Sequence, residues 1–206
     1  MSLALVLLLA YLLGSIPFAV VVSRAFALPD PRSFGSGNPG ATNVLRSGNK
    51  LAAAITLIGD SVKGALAVLV CVALAQPLGL APATPALAGA AAFIGHLFPV
   101  FLRFRGGKGV ATFLGTLLAM VPIVGLATCL LWLAMAATFR YSSLASVVSA
   151  IAASFALLGL PAQIPAGTAQ AVTLMTVFLV WRHRKNLVQL IEGRESKIGD
   201  RGKPGA

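Results

Sequence analysis

The chain is short of acid. Only five of its 206 residues are Asp or Glu, and only 10% are charged, against about a quarter in an average soluble domain. Hydrophobic residues make up 58%. A surface drawn from this composition would not stay hydrated, so a water-soluble domain is excluded and an integral membrane protein is indicated. Cysteine is scarce too. Cys71 and Cys129 both lie in apolar runs and read as small hydrophobes, which leaves no disulfide framework and no Cys/His metal cluster. The few, scattered carboxylates argue against a Mg²⁺-dependent phosphotransferase, which needs clustered hard oxygen ligands. No metal and no cofactor is expected.

Base is plentiful by comparison. The 16 Lys and Arg give a formal charge of +11. In a membrane chain this signals topology and an anionic headgroup or substrate, and nucleic acid is not an expected partner. The first apolar segment has no basic region before it and no small-residue cleavage pattern after it, so it reads as a retained span and not a signal peptide.

Apolar runs cover 2–23, 51–75, 85–102, 110–139, 144–160 and 169–181. As one helix, 110–139 would be about 45 Å long, well beyond a ~30 Å hydrocarbon core. Pro122 stands near its middle. A break there gives segments 110–121 and 123–139 and puts the loops 24–50, 103–109 and 140–143 and the tail 182–206 on one side. Those stretches hold every Lys and Arg except Lys63. The opposite loops hold no charge. The positive-inside rule therefore predicts an all-α protein of seven transmembrane helices, N-terminus outside and C-terminus cytoplasmic. Short helices at 110–121 and 169–181 imply local thinning or burial in the bundle. Asp60 and Lys63 lie within the second span, three residues apart on one face. They read either as a structural ion pair or as a polar wall beneath a cytoplasmic site.

Three polar stretches share that side. Phe34 to Arg46 is rich in Gly, Ser, Thr and Asn, a supply of neutral donors that ends in a guanidinium fork. Arg105-Gly106-Gly107-Lys108-Gly109 comes just before a predicted helix at Val110. Backbone N–H groups, a helix N-terminus and a lysine would there face an anion, although the spacing is not that of a Walker A loop. The third stretch combines Arg140-Tyr141-Ser142-Ser143 with Arg182-His183-Arg184-Lys185-Asn186. His183 and Asn186 can face one way on a helix continuing from 169–181. His96, near the cytoplasmic end of its own span, reads as a satisfied buried histidine.

Together these stretches point to a ligand carrying one or two phosphates. Ser36-Gly37-Asn38-Pro39-Gly40-Ala41-Thr42-Asn43, Arg105-Gly106-Gly107-Lys108-Gly109-Val110-Ala111-Thr112, Arg140-Tyr141-Ser142-Ser143-Leu144 and Arg182-His183-Arg184-Lys185-Asn186 resemble the motifs of the bacterial acylphosphate:glycerol-3-phosphate acyltransferase family, also called the PlsY family. The resemblance spans the chain, with the motifs in order. It implies a seven-helix protein of the bacterial cytoplasmic (inner) membrane with its active site on the cytoplasmic face. It implies transfer of a fatty acyl group from acyl-phosphate to the sn-1 hydroxyl of glycerol 3-phosphate, giving lysophosphatidic acid and phosphate, the first step of phospholipid synthesis.

Carried over by motif, the resemblance places an essential serine at Ser36 and an arginine at Arg46. It places phosphate-binding residues at Gly106, Gly107, Lys108 and Gly109, with Thr112 closing the motif, and further ones at Arg140 and Ser143. It places His183, Asn186 and Glu192 in a third motif. Membrane lipid and an enzyme supplying acyl-phosphate are the implied partners.

An acyl-phosphate is a mixed anhydride whose phosphate leaves readily, so positioning two anionic substrates is most of the task. Ser36 and Asn43 would orient the acyl carbonyl, and Lys108, Arg46, Arg140 and His183 would hold phosphates. The proton acceptor is His183 or the substrate's own phosphate, and an acyl-enzyme on Ser36 is a third route. The rival function is transport of an organic phosphate or other anion, which intramembrane Asp60 and Lys63 would suit.

Overall fold

The computed structural model describes residues 2–160 and 164–199. Residues 161–163 of an uncharged loop and 200–206 of the basic tail, with Arg201 and Lys203, lie outside the described residues. The described chain is helical and contains no strand. Its α-helices are α1 (Leu3–Gly14), α2 (Phe18–Ala25), α3 (Ala41–Leu45), α4 (Lys50–Ala75), α5 (Thr84–Leu97), α6 (Val110–Met120), α7 (Pro122–Phe139), α8 (Ser142–Leu158) and α9 (Thr168–Ile191), with one 3₁₀ turn at Val100–Leu102. An all-helical build suits the medium, since hydrocarbon offers backbone groups no partner and helices satisfy them internally. Four stretches are long and apolar enough to cross a membrane: Leu3–Ala25, Lys50–Ala75, Thr84–Leu102 and Pro122–Phe139. Val110–Met120 and Ser142–Leu158 are shorter apolar helices.

Proline sets two interruptions. Pro122 lacks a donor N–H and opens α7 at its first position, one residue after α6 has ended. Gly125 then lets α7 approach the backbone of Leu118, where a Cβ would collide. Pro17 breaks the first apolar stretch into α1 and α2. The sequence alone reads 2–23 as unbroken; the break releases the carbonyl of Ile16, which accepts a bond from Lys63 Nζ at 2.9 Å.

Small residues bring the helices together, since no hydrophobic effect drives association inside lipid. A Cβ on Gly14 or Gly95 would strike the facing backbone at Ala92 or Tyr11, so α1 and α5 touch closely. Gly64 and Gly115 do the same for α4 and α6, against Thr112 and Ser61. A larger core of Phe93, Phe113, Leu117, Leu157, Met175 and Leu179 joins α5, α6, α8 and α9. Hydroxyl bonds cross it, as where Ser154 Oγ donates to Thr176 Oγ1 at 2.9 Å.

These contacts separate two kinds of glycine. Gly115→Ala drives a methyl into the Ser61 backbone, whereas Gly159→Ala meets only ordinary contacts near 3.5 Å. Thermal unfolding in detergent micelles should show the first variant destabilised by about 1–3 kcal/mol and the second essentially unchanged.

Candidate active site

The centre of the site is the turn between α5 and α6. Arg103 and Phe104 both adopt left-handed conformations, with φ of 52° and 62°, and reverse the chain onto the end of α5. Gly106 N–H then donates to the Leu97 carbonyl at 3.1 Å and Gly107 N–H to the His96 carbonyl at 3.2 Å. These carbonyls belong to the last turn of α5, which has no intrahelical donors of its own. From the other side, Arg182 of α9 donates to the Gly107 carbonyl at 3.0 Å and to the Gly106 carbonyl at 2.6 Å. Gly109 caps α6 at φ +84°, and a Cβ there would run into Phe93 and Leu97.

The sequence expectation left the N–H groups of the turn free for an anion; those of Gly106 and Gly107 are instead bonded to the end of α5. The donors left for an anion come one residue later: the Lys108 side chain and the unbonded first turn of α6.

Lys108 Nζ donates to Asn186 Oδ1 at 2.6 Å. Asn186 Nδ2 in turn donates to both carboxylate oxygens of Glu195, at 2.8 and 3.0 Å. Ser143 Oγ donates to the same carboxylate at 2.8 Å. Burial pushes the Lys108 ammonium down to about 8; Glu195 pulls it back up, and the positive charges of Arg46 and Arg182 push it further down. His183, also on α9, is 2% exposed. Its Nδ1 lies 2.8 Å from the Leu179 carbonyl. A carbonyl can only accept, so Nδ1 carries the hydrogen and Nε2 of the neutral ring keeps its lone pair.

The chain after α9 crosses this cluster as a strap. Arg46 donates to Ser196 Oγ, and Arg140 donates to the Ile198 carbonyl at 2.9 Å. Ile198 N–H returns a bond to the Arg140 carbonyl at 2.6 Å. Loop 24–50, the glycine turn, the start of α8 and the tail thus meet at one end of the bundle.

Four residues sit otherwise than the sequence suggests. Glu192 is exposed and pairs with Arg194; the carboxylate inside the cluster is Glu195, which no motif marks. Thr112 is fully buried, and its hydroxyl donates to the Asp60 carbonyl at 2.8 Å, so it joins α6 to α4. Asn43 is 2% exposed. It accepts from Ser36 N–H at 3.0 Å and donates to the Pro31 and Phe34 carbonyls, so it shapes the loop that presents Ser36. Arg182 belongs to a motif without being expected at the site, yet it clamps the glycine turn. Ser36 itself is exposed, and Gly35, at φ +57° against Asn43, allows the bend before it.

The two glutamates give a direct comparison. Glu195→Ala removes charge-assisted bonds to Asn186 and Ser143, a loss of about 2 kcal/mol or roughly 30-fold in kcat/KM after allowance for partial exposure. Glu192→Ala should leave kcat/KM within about twofold, as for most surface changes. Steady-state kinetics on the two variants in parallel checks both outcomes.

The family model for glycerol-3-phosphate acyltransferase matches residues 4–193. A glycerol-3-phosphate acyltransferase of Burkholderia orbicola is 54% identical over 209 residues, covering 100% of this chain and 98% of the relative. Another, of Burkholderia multivorans, is 55% identical over 206 residues, covering 100% and 95%. Among solved structures, the glycerol 3-phosphate form of PlsY (YgiH), an integral membrane glycerol 3-phosphate acyltransferase, superposes with a TM-score of 0.87 at 36% identity, covering 97% of this chain and 96% of the other. Its lysophosphatidic acid form gives 0.85 at 35% identity with the same coverage. With a family model spanning nearly the whole chain and relatives above half identity over all of it, this protein belongs to the glycerol-3-phosphate acyltransferase family of integral membrane enzymes.

Proposed function

We propose that the enzyme takes its acyl group from acyl-phosphate and transfers it to the sn-1 hydroxyl of glycerol 3-phosphate. The observation that carries this reading is the gathering of positive charge at Lys108: Arg46 and Arg182 both push its ammonium down, and its partner Asn186 is held by Glu195. Cations packed this closely repel one another and suit substrates that bring phosphate charge on both sides of the reaction. An acyl-phosphate donor and glycerol 3-phosphate do so.

The hydroxyl oxygen attacks the acyl carbonyl carbon, the bond from that carbon to the phosphate oxygen breaks, and the products are lysophosphatidic acid and inorganic phosphate. His183 Nε2 accepts the hydrogen bond of the attacking hydroxyl, and the proton leaves with the released phosphate. Lys108 and the first turn of α6 hold one phosphate, while Arg46, Arg140, Ser143 and Asn186 line the space for the other. Ser36 orients the carbonyl. Its hydroxyl bonds to no described residue, so among the described residues there is no base to activate it as a nucleophile, which favours direct attack over an acyl-enzyme.

The same reading sets the enzyme in the bacterial cytoplasmic membrane as seven spans with the site on the cytoplasmic face. It is supported by the meeting of the basic loops and tail at one end of the bundle and by the positive-inside rule. Acyl-phosphate must then come from an enzyme that phosphorylates or phosphorolyses an activated acyl chain nearby.

Purified enzyme supplied with acyl-phosphate and glycerol 3-phosphate should release phosphate and give the sn-1 acyl product. Equal turnover of acyl-CoA, or no phosphate release, overturns the donor assignment. Lys108→Ala should lower kcat/KM by about 100-fold or more. Because the ammonium form binds phosphate, kcat/KM should fall as pH rises through about 8. In Lys108→Arg that alkaline limb should move out of the accessible range, since a guanidinium keeps its proton.

A further inference from the structure

Beneath the glycine turn lies a charged cluster that the reaction does not touch. Asp60 and Lys63 of α4 are each 2% exposed. Lys63 Nζ lies 2.8 Å from Asp60 Oδ1 and also donates to the Ile16 carbonyl at the break between α1 and α2. On the other side of the carboxylate, His96 Nδ1 of α5 stands 3.4 Å from the same oxygen. Both that oxygen and Nδ1 are buried and in ion-pair reach without a formed hydrogen bond. Such a trio is a poor device for stability, because desolvating the charges offsets their attraction and apolar residues of like volume do as well or better. Within a membrane an ionisable group is more often there for function.

Its place in the fold says which function. The His96 carbonyl receives the Gly107 N–H. The His96 ring lies against the same residue, so that a Cβ on Gly107 would collide with Nε2. The Asp60 carbonyl receives the Thr112 hydroxyl in the first turn of α6, at 2.8 Å. One cluster therefore touches the residue before Lys108 and the helix turn after it. Asp60, Lys63 and His96 line one small cleft together with Pro39, Gly106 and Gly107.

We propose that Asp60, Lys63 and His96 are positioning residues for phosphate capture. The trio fixes the His96 ring as a stop under Gly107 and ties α4 to the start of α6. This sets the height of Lys108 and of the α6 donors together. The inference rests on the reading that Lys108 and the α6 N-terminus hold a phosphate. Displacement of such donors by about 1 Å is worth on the order of 100-fold in rate.

The test is a pair of double-mutant cycles in micelles, using glycerol 3-phosphate with whichever acyl donor the wild-type enzyme turns over. Asp60→Leu with Lys63→Met removes both charges together, so neither charge is left buried without its counterion. It should keep its thermal midpoint but lose about 100-fold in kcat/KM. In a Lys108→Ala background the same pair should cost less than about threefold more, because its effect runs through Lys108. Additive losses, or a folded pair variant with wild-type kinetics, overturn the proposal. Should the pair variant fail to fold, His96→Gln, which keeps the backbone bond to Gly107, is read in the same cycle with the same two outcomes. An inert Lys108→Ala overturns the phosphate reading and this inference with it. A damaged Lys108→Ala beside a wild-type-like pair variant overturns this inference alone.

Discussion

The site depends on a turn held from both faces. Gly106 and Gly107 give their N–H groups to the end of α5 and their carbonyls to Arg182 of α9. With both peptide faces occupied, the turn behaves as part of the bundle and not as a loop over it. Its glycines are required by lack of space: a Cβ on either would meet the His96 backbone or ring. The residues after the turn inherit that rigidity. Lys108 leaves from a fixed point, and α6 begins at a fixed angle through Gly109, whose left-handed φ few other residues adopt. Fixed donors of this kind are what catalysis by placement requires, the mode the proposed acyl-phosphate donor would call for.

The bilayer explains why this machinery gathers at one end. A helix crossing hydrocarbon is committed to apolar side chains, so polar chemistry is confined to where helices stop. The helices stop here in ways that feed the site: α5 in the glycine turn, α7 at the left-handed Arg140, α9 in the strap that carries Glu195. Each of the three ends contributes residues to one cluster. Asp60 and Lys63 are the exception, lying inside a span, and they lie directly beneath that cluster.

Much of this is legible in the sequence, and the failures have physical causes. Charge sidedness groups the basic loops and tail that the structure brings together at one end of the bundle, because the positive-inside signal reflects a real asymmetry in the medium. The break at Pro122 is readable because 110–139 is too long for one span and charge sidedness calls for a turn there; the break at Pro17 is hidden because 2–23 already fits a single span. Motif resemblance finds Lys108, Asn186, Ser143 and His183, which lie in or beside the cluster. It does not separate residues that face a ligand from residues that build the scaffold. Asn43 and Thr112 have the same chemistry in either role, and only their partners, the loop carbonyls and the Asp60 carbonyl, distinguish them. Glu195 and Glu192 are three residues apart. A helical continuation would have put both on one face, but α9 ends at Ile191, and the chain turns back at Gly193, at φ +67°. Where a helix stops decides which acid reaches the site, and sequence locates helix ends poorly.

The cations divide their labour by chemistry. Arg182 and Arg140 direct their forks at backbone carbonyls, of the glycine turn and of the strap, and Arg46 holds Ser196. A guanidinium keeps its charge in any surroundings and offers several fixed donors, which suits it to clamping. Lys108 differs. It is a compact charge whose side-chain partner among the described residues is Asn186, itself held by Glu195. Desolvation reaches its ammonium strongly enough to bring it to about 8. The arginines therefore build a positive frame, and within it stands one lysine whose charge is costly to bury. On the proposed reading a phosphate bound beside Lys108 would relieve that cost, and an arginine at 108, which keeps its charge in any surroundings, would have less of it to relieve.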